Sequence, residues 1–424
     1  MIASLCLVGC MLLGQAGTAA EDELQMEVRR LVRQLNATQL AERESAEETL
    51  LTLGPKVLDL LPPVSDRTPA EVKQRLGRVR QKLQRETAES AARASLVSLG
   101  GDPQPLSKIL ASLEEQSGNK IVDFREQFGQ PAPDPELRVS CDKEPFWEAL
   151  DRVLDQAKLT VYPYGEETAI NLVARGEDTL TRGGGAHYGG PFRFEPLRIV
   201  ARREFREPDG QSLQLTLFVE WEPRLKPISL KQKMADVKAI DENGDALAVD
   251  DPEAELEVPS VGATSVELIL PLKLPPRDVK QIASLKGKLA AMVPGKIETF
   301  TFSDLTTAKN VEQRIAGVIV TLEQARKNGA VWEVRVRVRF DEAGEALQSH
   351  RGWIFNNEAY LQGADGKPIP YDSLETTLQT PNEVGVAYLF VLEEPPEKHQ
   401  FVYKTPGVIV ATEFDYEIRD LKLP

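Results

Sequence analysis

Histidine and cysteine are scarce in this chain, at three of each in 424 residues. His187, His350 and His399 lie far apart, and none falls in an HxxxH, CxxC or HExxH arrangement. No metal site is therefore expected. Cys6 and Cys10 lie in an apolar N-terminal segment, which leaves Cys141 alone in the body of the chain. A single cysteine forms no internal disulfide. Cys141 alternates with Leu137 and Val139, which marks it as a core thiol rather than a nucleophile. There is no Gly-x-Ser-x-Gly elbow. The glycines at Gly183-Gly184-Gly185 lack the helix and the Lys-Ser/Thr pair of a phosphate loop. No catalytic residue and no cofactor are assigned. Positive charge is also in deficit, 51 Lys and Arg against 66 Asp and Glu, a net −15. That balance argues against a nucleic-acid partner, because such binding neutralises phosphates.

Carboxylates are plentiful, including Glu47-Glu48, Asp250-Asp251 and Glu393-Glu394. A glycosidase would need two of them about 5–10 Å apart across a cleft, and in so acidic a chain they read as surface residues. Asp241-Glu242-Asn243-Gly244-Asp245 lacks the full spacing of a calcium loop and reads as an Asn-Gly hairpin turn.

The apolar run Ile2–Leu13 is too short to span a bilayer. Small residues Gly17 to Ala20 and acidic residues follow it, the pattern of a secretory signal over residues 1–20, with no transmembrane span in the mature chain. Leu7-Val8-Gly9-Cys10 fits the alternative of a lipoprotein anchor through Cys10. The expected location is periplasmic or extracellular.

Residues 21–93 read as helices. Leu24, Val28, Leu31, Val32 and Leu35 share one face, and Thr68-Pro69-Ala70-Glu71 is a helix start. Leu40–Glu47 with Leu53-Gly54-Pro55 resembles a HEAT-type repeat. With only about two helix pairs, a small bundle leaning on the stretch that follows is expected. Lys73, Arg75, Arg78, Arg80, Lys82 and Arg85 make its last helix basic, which reads as a solvated face.

Residues 94–175 read strand, helix, strand, strand, helix, strand, strand. Pro105 and Pro145 open the two helices, and Gly118 ends the first. Pro105-Leu106-Ser107-Lys108-Ile109-Leu110, Gly118-Asn119-Lys120-Ile121-Val122 and Pro145-Phe146-Trp147-Glu148-Ala149-Leu150 resemble the secretin and TonB short N-terminal (STN) domain. That resemblance implies a compact α+β module of the bacterial envelope that contacts other proteins, with no catalytic residue. No secretin or receptor barrel follows it here.

Residues 176–191 have the composition of a flexible Gly-rich linker. The remainder is duplicated, over 192–306 and 307–424. Leu213, Leu215, Leu217, Val219 and Trp221 alternate after Asp209-Gly210; Trp332, Val334, Val336, Val338 and Phe340 do so after Asn328-Gly329. Asn243-Gly244 matches Asp365-Gly366, and Asp304-Leu305 matches Asp420-Leu421. Each copy has the turn-punctuated short strands of an immunoglobulin-like β-sandwich. The expected fold is multidomain α+β: a helical segment, a small α/β sandwich module and two tandem sandwiches.

The two-residue period sets Glu333, Arg335, Arg337 and Arg339 opposite the inward face of their strand. Arg335, Arg337 and Arg339, with Trp353, are the candidate ligand or partner surface. The arginines form either a ladder for an anionic polymer or an internally paired row, with Glu413, Asp415 and Glu417 as the best partners. Trp221 and Trp332 belong in sandwich cores. The function expected is that of a non-enzymatic envelope scaffold or adaptor working through protein contacts. The alternatives are a carbohydrate-binding or wall-associated protein using a sandwich face, and a hydrolase with a dispersed site.

Overall fold

The computed structural model describes residues 9–64, 68–165, 168–180, 182, 185–206, 210–260, 262–329, 331–340, 352–363, 365–380, 382–392 and 398–424. His350, Glu166, Gly183, Gly184, Asp209, Glu393 and Glu394 lie outside the described residues, as do the side chains of the N-terminal apolar run with Cys10. The chain is a strand-rich α+β protein, its sheets mainly antiparallel. In chain order come α1 (Gly9–Gln34), α2 (Leu40–Leu53), a 3-10 turn (Pro55–Leu60) and α3 (Ala70–Ala91). Next are β1 (Leu96–Gly100), β2 (Gln104–Pro105), α4 (Leu106–Ser117), β3 (Ile121–Asp123), β4 (Glu136–Leu137), β5 (Ser140–Pro145), α5 (Phe146–Ala157), β6 (Leu159–Val161) and β7 (Ile170–Ala174). The first β copy holds β8 (His187–Gly189), β9 (Phe192–Arg202), β10 (Ser212–Trp221), β11 (Ser229–Lys233), β12 (Lys238–Asp241), β13 (Ala246–Leu247), β14 (Glu255–Pro259), β15 (Ser265–Leu272) and β16 (Gln281–Pro294). Then follow β17 (Ile297–Phe302), β18 (Lys309–Ile315), β19 (Val318–Asn328), β20 (Val331–Phe340), α6 (Gly352–Phe355), β21 (Ala359–Gln362), β22 (Pro368–Pro370), β23 (Ser373–Gln379), β24 (Glu383–Phe390), β25 (Gln400–Pro406) and β26 (Ile409–Lys422).

These elements gather into two compact units: Met1–Ala88 with Gly295–Ile409, and Glu89–Pro294 with Val410–Pro424. In the first, α1 to α3 bury Val28, Leu31, Leu50, Val57, Leu76 and Val79 in one core, as the helical period dictates. The bundle shares this unit with the second β copy. Lys296 Nζ lies 2.5 Å from the Asp59 carboxylate, and Gln84 donates to Glu298. The basic face of α3 is not simply solvated. Arg75 and Arg80 are buried. Arg75 meets the carboxylates of Glu47 and Glu71 at 2.5 and 2.7 Å, and Arg80 donates to the carbonyls of Leu61 and Pro62. Guanidinium groups are buried here because each has an acceptor waiting.

In the second unit, α4 and α5 close one core over Val97, Leu137, Val139, Cys141, Leu159 and Leu172. Cys141 is a buried free thiol there. β3 and β7 run parallel, with β6 antiparallel on the other side of β7. Two further sheets, ordered β15-β10-β9-β8 and β13-β12-β16-β11-β14, carry the first β copy, and β26 adds to β16. Phe194 stacks on Tyr416 at 4.7 Å and Phe192 meets Phe414 at 4.7 Å, so the two sheets share an aromatic interior.

The second copy is ordered β18-β19-β20-β24-β23 and β17-β25-β21-β22. β10 and β20 hold equivalent places, flanked by β9 and β15 or by β19 and β24. Among the described residues equivalence fails at two strands: β11, which pairs with β16, has no counterpart beside β25, and β14 pairs with β11, whereas β23 pairs with β24. The copies also trade a strand. β17 follows the first copy in sequence but pairs with β25 of the second, and β26 follows the second but pairs with β16 of the first. Asp304 and Asp420, at the ends of these two strands, both take positive φ (54° and 58°). The linear halves 192–306 and 307–424 are therefore not the folded units.

The Gly-rich segment is in part a strand, β8, rather than a free linker. Its glycines permit contact: a Cβ on Gly189 would meet the Asp415 carbonyl, and one on Gly190 would meet the Phe414 ring.

Candidate functional site

The sequence-derived surface on β20 disperses. Arg335 pairs with Glu333, and Arg337 pairs with Glu323 at 2.7 Å and Glu383 at 3.6 Å. Arg339 is exposed. Carboxylates of the same sheet thus hold two of the three arginines, but Glu413, Asp415 and Glu417 are not among them. Those residues sit on β26 in the other unit, where Glu413 takes Lys288 and Glu417 takes Lys286 and Arg419. A strand's alternation tells which side chains share a face, not which strand comes alongside. Trp353 is buried edge-on against Phe340 at 5.6 Å, a packing role. Trp147 and Trp221 are also buried, while Trp332 is only half-buried, short of the full burial expected.

Asp241 accepts the backbone N–H groups of Asn243 and Asp245 at 2.8 and 2.9 Å, which makes the acidic run a hairpin turn. Among the described residues no cluster of three or more His, Cys, Asp or Glu has a metal-holding arrangement.

A charged cluster lies inside the second unit. Arg193 of β9 points at Asp151 of α5 (2.5 Å) and at Glu220 of β10, with Glu195 at 3.5 Å. Its guanidinium lies 5.0 Å from the Trp147 ring. Tyr188 donates to Asp151 at 2.7 Å, and Arg182 reaches Asp151 and Asp155. Burial, with Arg193 shared among three carboxylates, pushes the Glu220 carboxyl up to about 7. Burial and the Asp151 charge raise the Tyr188 phenol. Arg193, Glu220 and Asp151 are each exposed by 4% or less. No substrate can reach them, so the cluster clamps α5 to the β8–β10 sheet. A second clamp lies nearby in sequence: buried Glu222 accepts from Ser95, Asn119 and Arg224.

The exposed feature of the α+β module is a row of four rings that the sequence reading passed over. Phe124 continues β3, its N–H bonding the Leu172 carbonyl at 2.8 Å. The chain then turns back, Phe128 N–H bonding the Phe124 carbonyl. Buried Arg125 holds this turn with a fork onto Asp123 (2.6–3.1 Å) and a bond to the Pro133 carbonyl. The same fork holds the Asp123 carboxyl below its usual range. Tyr162 leaves β6, its N–H on the Asn171 carbonyl at 2.7 Å. The rings follow one another: Phe124 to Phe128 at 6.3 Å, Phe128 to Tyr162 at 5.0 Å, Tyr162 to Tyr164 at 5.6 Å. Phe128 and Tyr164 are 50% and 79% exposed. Phe124 and Tyr162 are half-buried, so the row presents two exposed rings, each seated against a partly covered one. The residue types were visible in sequence, but they come from two separate segments that only the β3–β7–β6 sheet brings together. The row carries no nucleophile or base; it offers rigid apolar area.

The chain matches no family model, no curated protein and no solved structure.

Proposed function

We propose that this chain is a non-enzymatic, exported protein of a bacterial envelope that binds a protein partner through its STN-like module. In this reading immunoglobulin-like sandwiches carry the module as scaffolding. The observation that carries the reading is the aromatic row Phe124–Phe128–Tyr162–Tyr164 on a turn braced by Arg125. Aromatic side chains supply large contact area at low entropic cost and dominate interface hot spots. The ring planes favour protein over sugar: successive rings stand at 48°, 69° and 75°, not as a flat stacking platform, and three of the four tryptophans are buried.

The test is capture from envelope extract by the purified chain and by Phe128→Ala and Tyr164→Ala variants. Both side chains are at least half exposed, so folding is expected to be unaffected. The same band should be retained by the parent chain and weakened at least tenfold in the variants, the effect of losing one hot-spot aromatic. Equal retention by all three would sink the proposal. So would turnover of a glycan, ester or peptide library that one carboxylate or serine substitution abolishes.

A further inference from the structure

We propose that a second site, independent of the aromatic row, binds a small amphiphilic anion at one end of the first β copy. A cavity of about 240 Å³ opens there. Its walls include the apolar side chains of Leu213, Leu274 and Val279 and the cationic ones of Arg203, Arg277 and Lys280.

The charge pattern identifies the ligand class. Some surface cations of this unit are paired, as Arg198 is with Glu267 at 3.4 Å, Lys288 with Glu413 at 3.2 Å and Arg419 with Glu417 at 3.0 Å, and others, such as Lys238 and Lys273, stand singly among the described residues; the cavity differs in gathering three cations around one space. None of the three cavity cations forms an ion pair with a carboxylate among the described residues. Arg203 donates to the Pro275 carbonyl at 3.0 Å and the Gln211 amide oxygen at 3.2 Å, and Lys280 donates to the Arg277 carbonyl. The nearby Glu242 carboxylate is occupied by the backbone N–H groups of Lys280 and Gln281. Three like charges around one small cavity repel one another, and an anion relieves that repulsion through charge-assisted hydrogen bonds. In a chain of net −15 such a concentration runs against the overall field. Leu274 and Val279 give one part of this otherwise polar cavity an apolar surface for a short hydrocarbon body behind the anionic head. A carboxylate or phosphate head carried on a few carbons fits both features.

The experiment is calorimetric titration of the full chain with sodium octanoate, with 1-octanol and inorganic phosphate as comparators. Saturable octanoate binding is expected, weakened by added salt and tighter than either comparator. Arg277→Glu and Lys280→Glu, both at exposed positions, should each weaken it roughly tenfold or more. Absence of saturable octanoate binding overturns the proposal, as does equal affinity in both variants or equal affinity for octanol. Phosphate binding as tight as octanoate removes the amphiphile and overturns the ligand class proposed. Salt dependence and the comparators on the parent chain keep the test decisive even where a variant folds poorly.

Discussion

β10 and β20 occupy the same place in their sheets and bury the same alternating row, Leu213 to Trp221 and Val334 to Phe340. Their opposite faces differ in sequence, Gln214, Thr216, Phe218 and Glu220 against Glu333, Arg335, Arg337 and Arg339, yet each carries a glutamate that ends up almost fully buried, Glu220 and Glu333. The two carboxyls nevertheless move in opposite directions. Glu220 shares Arg193 with Asp151 and Glu195, and burial raises it to about 7. Burial opposes the charge on Glu333 too, but hydrogen bonds from Arg335 and Arg326 outweigh it, and that carboxyl is lowered. Three carboxylates to one central guanidinium and one carboxylate to two guanidinium groups are different electrostatic problems. Burial alone does not set the sign of the shift; the local ratio of charges does.

The sharpest way to break this comparison is to remove the shared cation. Arg193→Met leaves buried carboxylates facing one another, and should destabilise the second unit by about 3–5 kcal/mol. Hydrogen exchange read by mass spectrometry separates that unit from the first. A loss below about 1 kcal/mol would mean that water or protonation already compensates the cluster.

The strand exchange makes a matched pair of predictions. Counting back from Asp304 and Asp420, Phe300 of β17 corresponds to Tyr416 of β26, and both are buried. Phe300→Ala should cost the first unit, and Tyr416→Ala the second, about 3–5 kcal/mol each. Exchange protection lost in the same unit for both variants would refute the exchange.

Smaller in size, but decisive in sign, is the pH dependence. Glu220 binds its proton more tightly folded than unfolded, so its contribution is full below about 4.5 and is lost as pH rises through about 7. The loss is at most roughly 3 kcal/mol, and Glu220→Gln should flatten the slope in chemical denaturation. Glu333, with a lowered carboxyl, contributes stability above the unfolded carboxyl range that is lost as pH falls through its folded value. Slopes of the same sign would undo the contrast.

The least effect is expected at the arginine row. Arg337→Gln removes a half-exposed pair and should change stability by less than about 1 kcal/mol in urea. A larger loss would show that the row holds the β20 sheet rather than decorating it.

Local pattern made a good part of this legible. α4 and α5 begin after Pro105 and Pro145 and bury the faces that their periodicity marks. The alternation over Leu213–Trp221 put the buried row on the correct side, and the hairpin at Asn243-Gly244 is a turn. The aromatic row was not legible, because Phe124 and Tyr162 are brought together only by β3 and β6 flanking β7. Arg75 and Arg80 looked like solvated charges, since a helical wheel shows Glu71 one turn before Arg75 but not Glu47 of α2 or the carbonyls of Leu61 and Pro62.

The sequence alone determined which residues form helices and strands and which face of each is apolar, because periods of 3.6 and 2 are properties of the local backbone. It also carried the repeat of Asp304-Leu305 in Asp420-Leu421 at the close of each copy. Only the tertiary structure decided where β17 and β26 pair, since a strand's hydrogen-bonding edges are backbone groups that accept any partner in register. The same holds for Glu220 and Glu333: a glutamate on a strand is one residue type, and the number of arginines that long-range packing brings to it decides whether it holds or releases its proton.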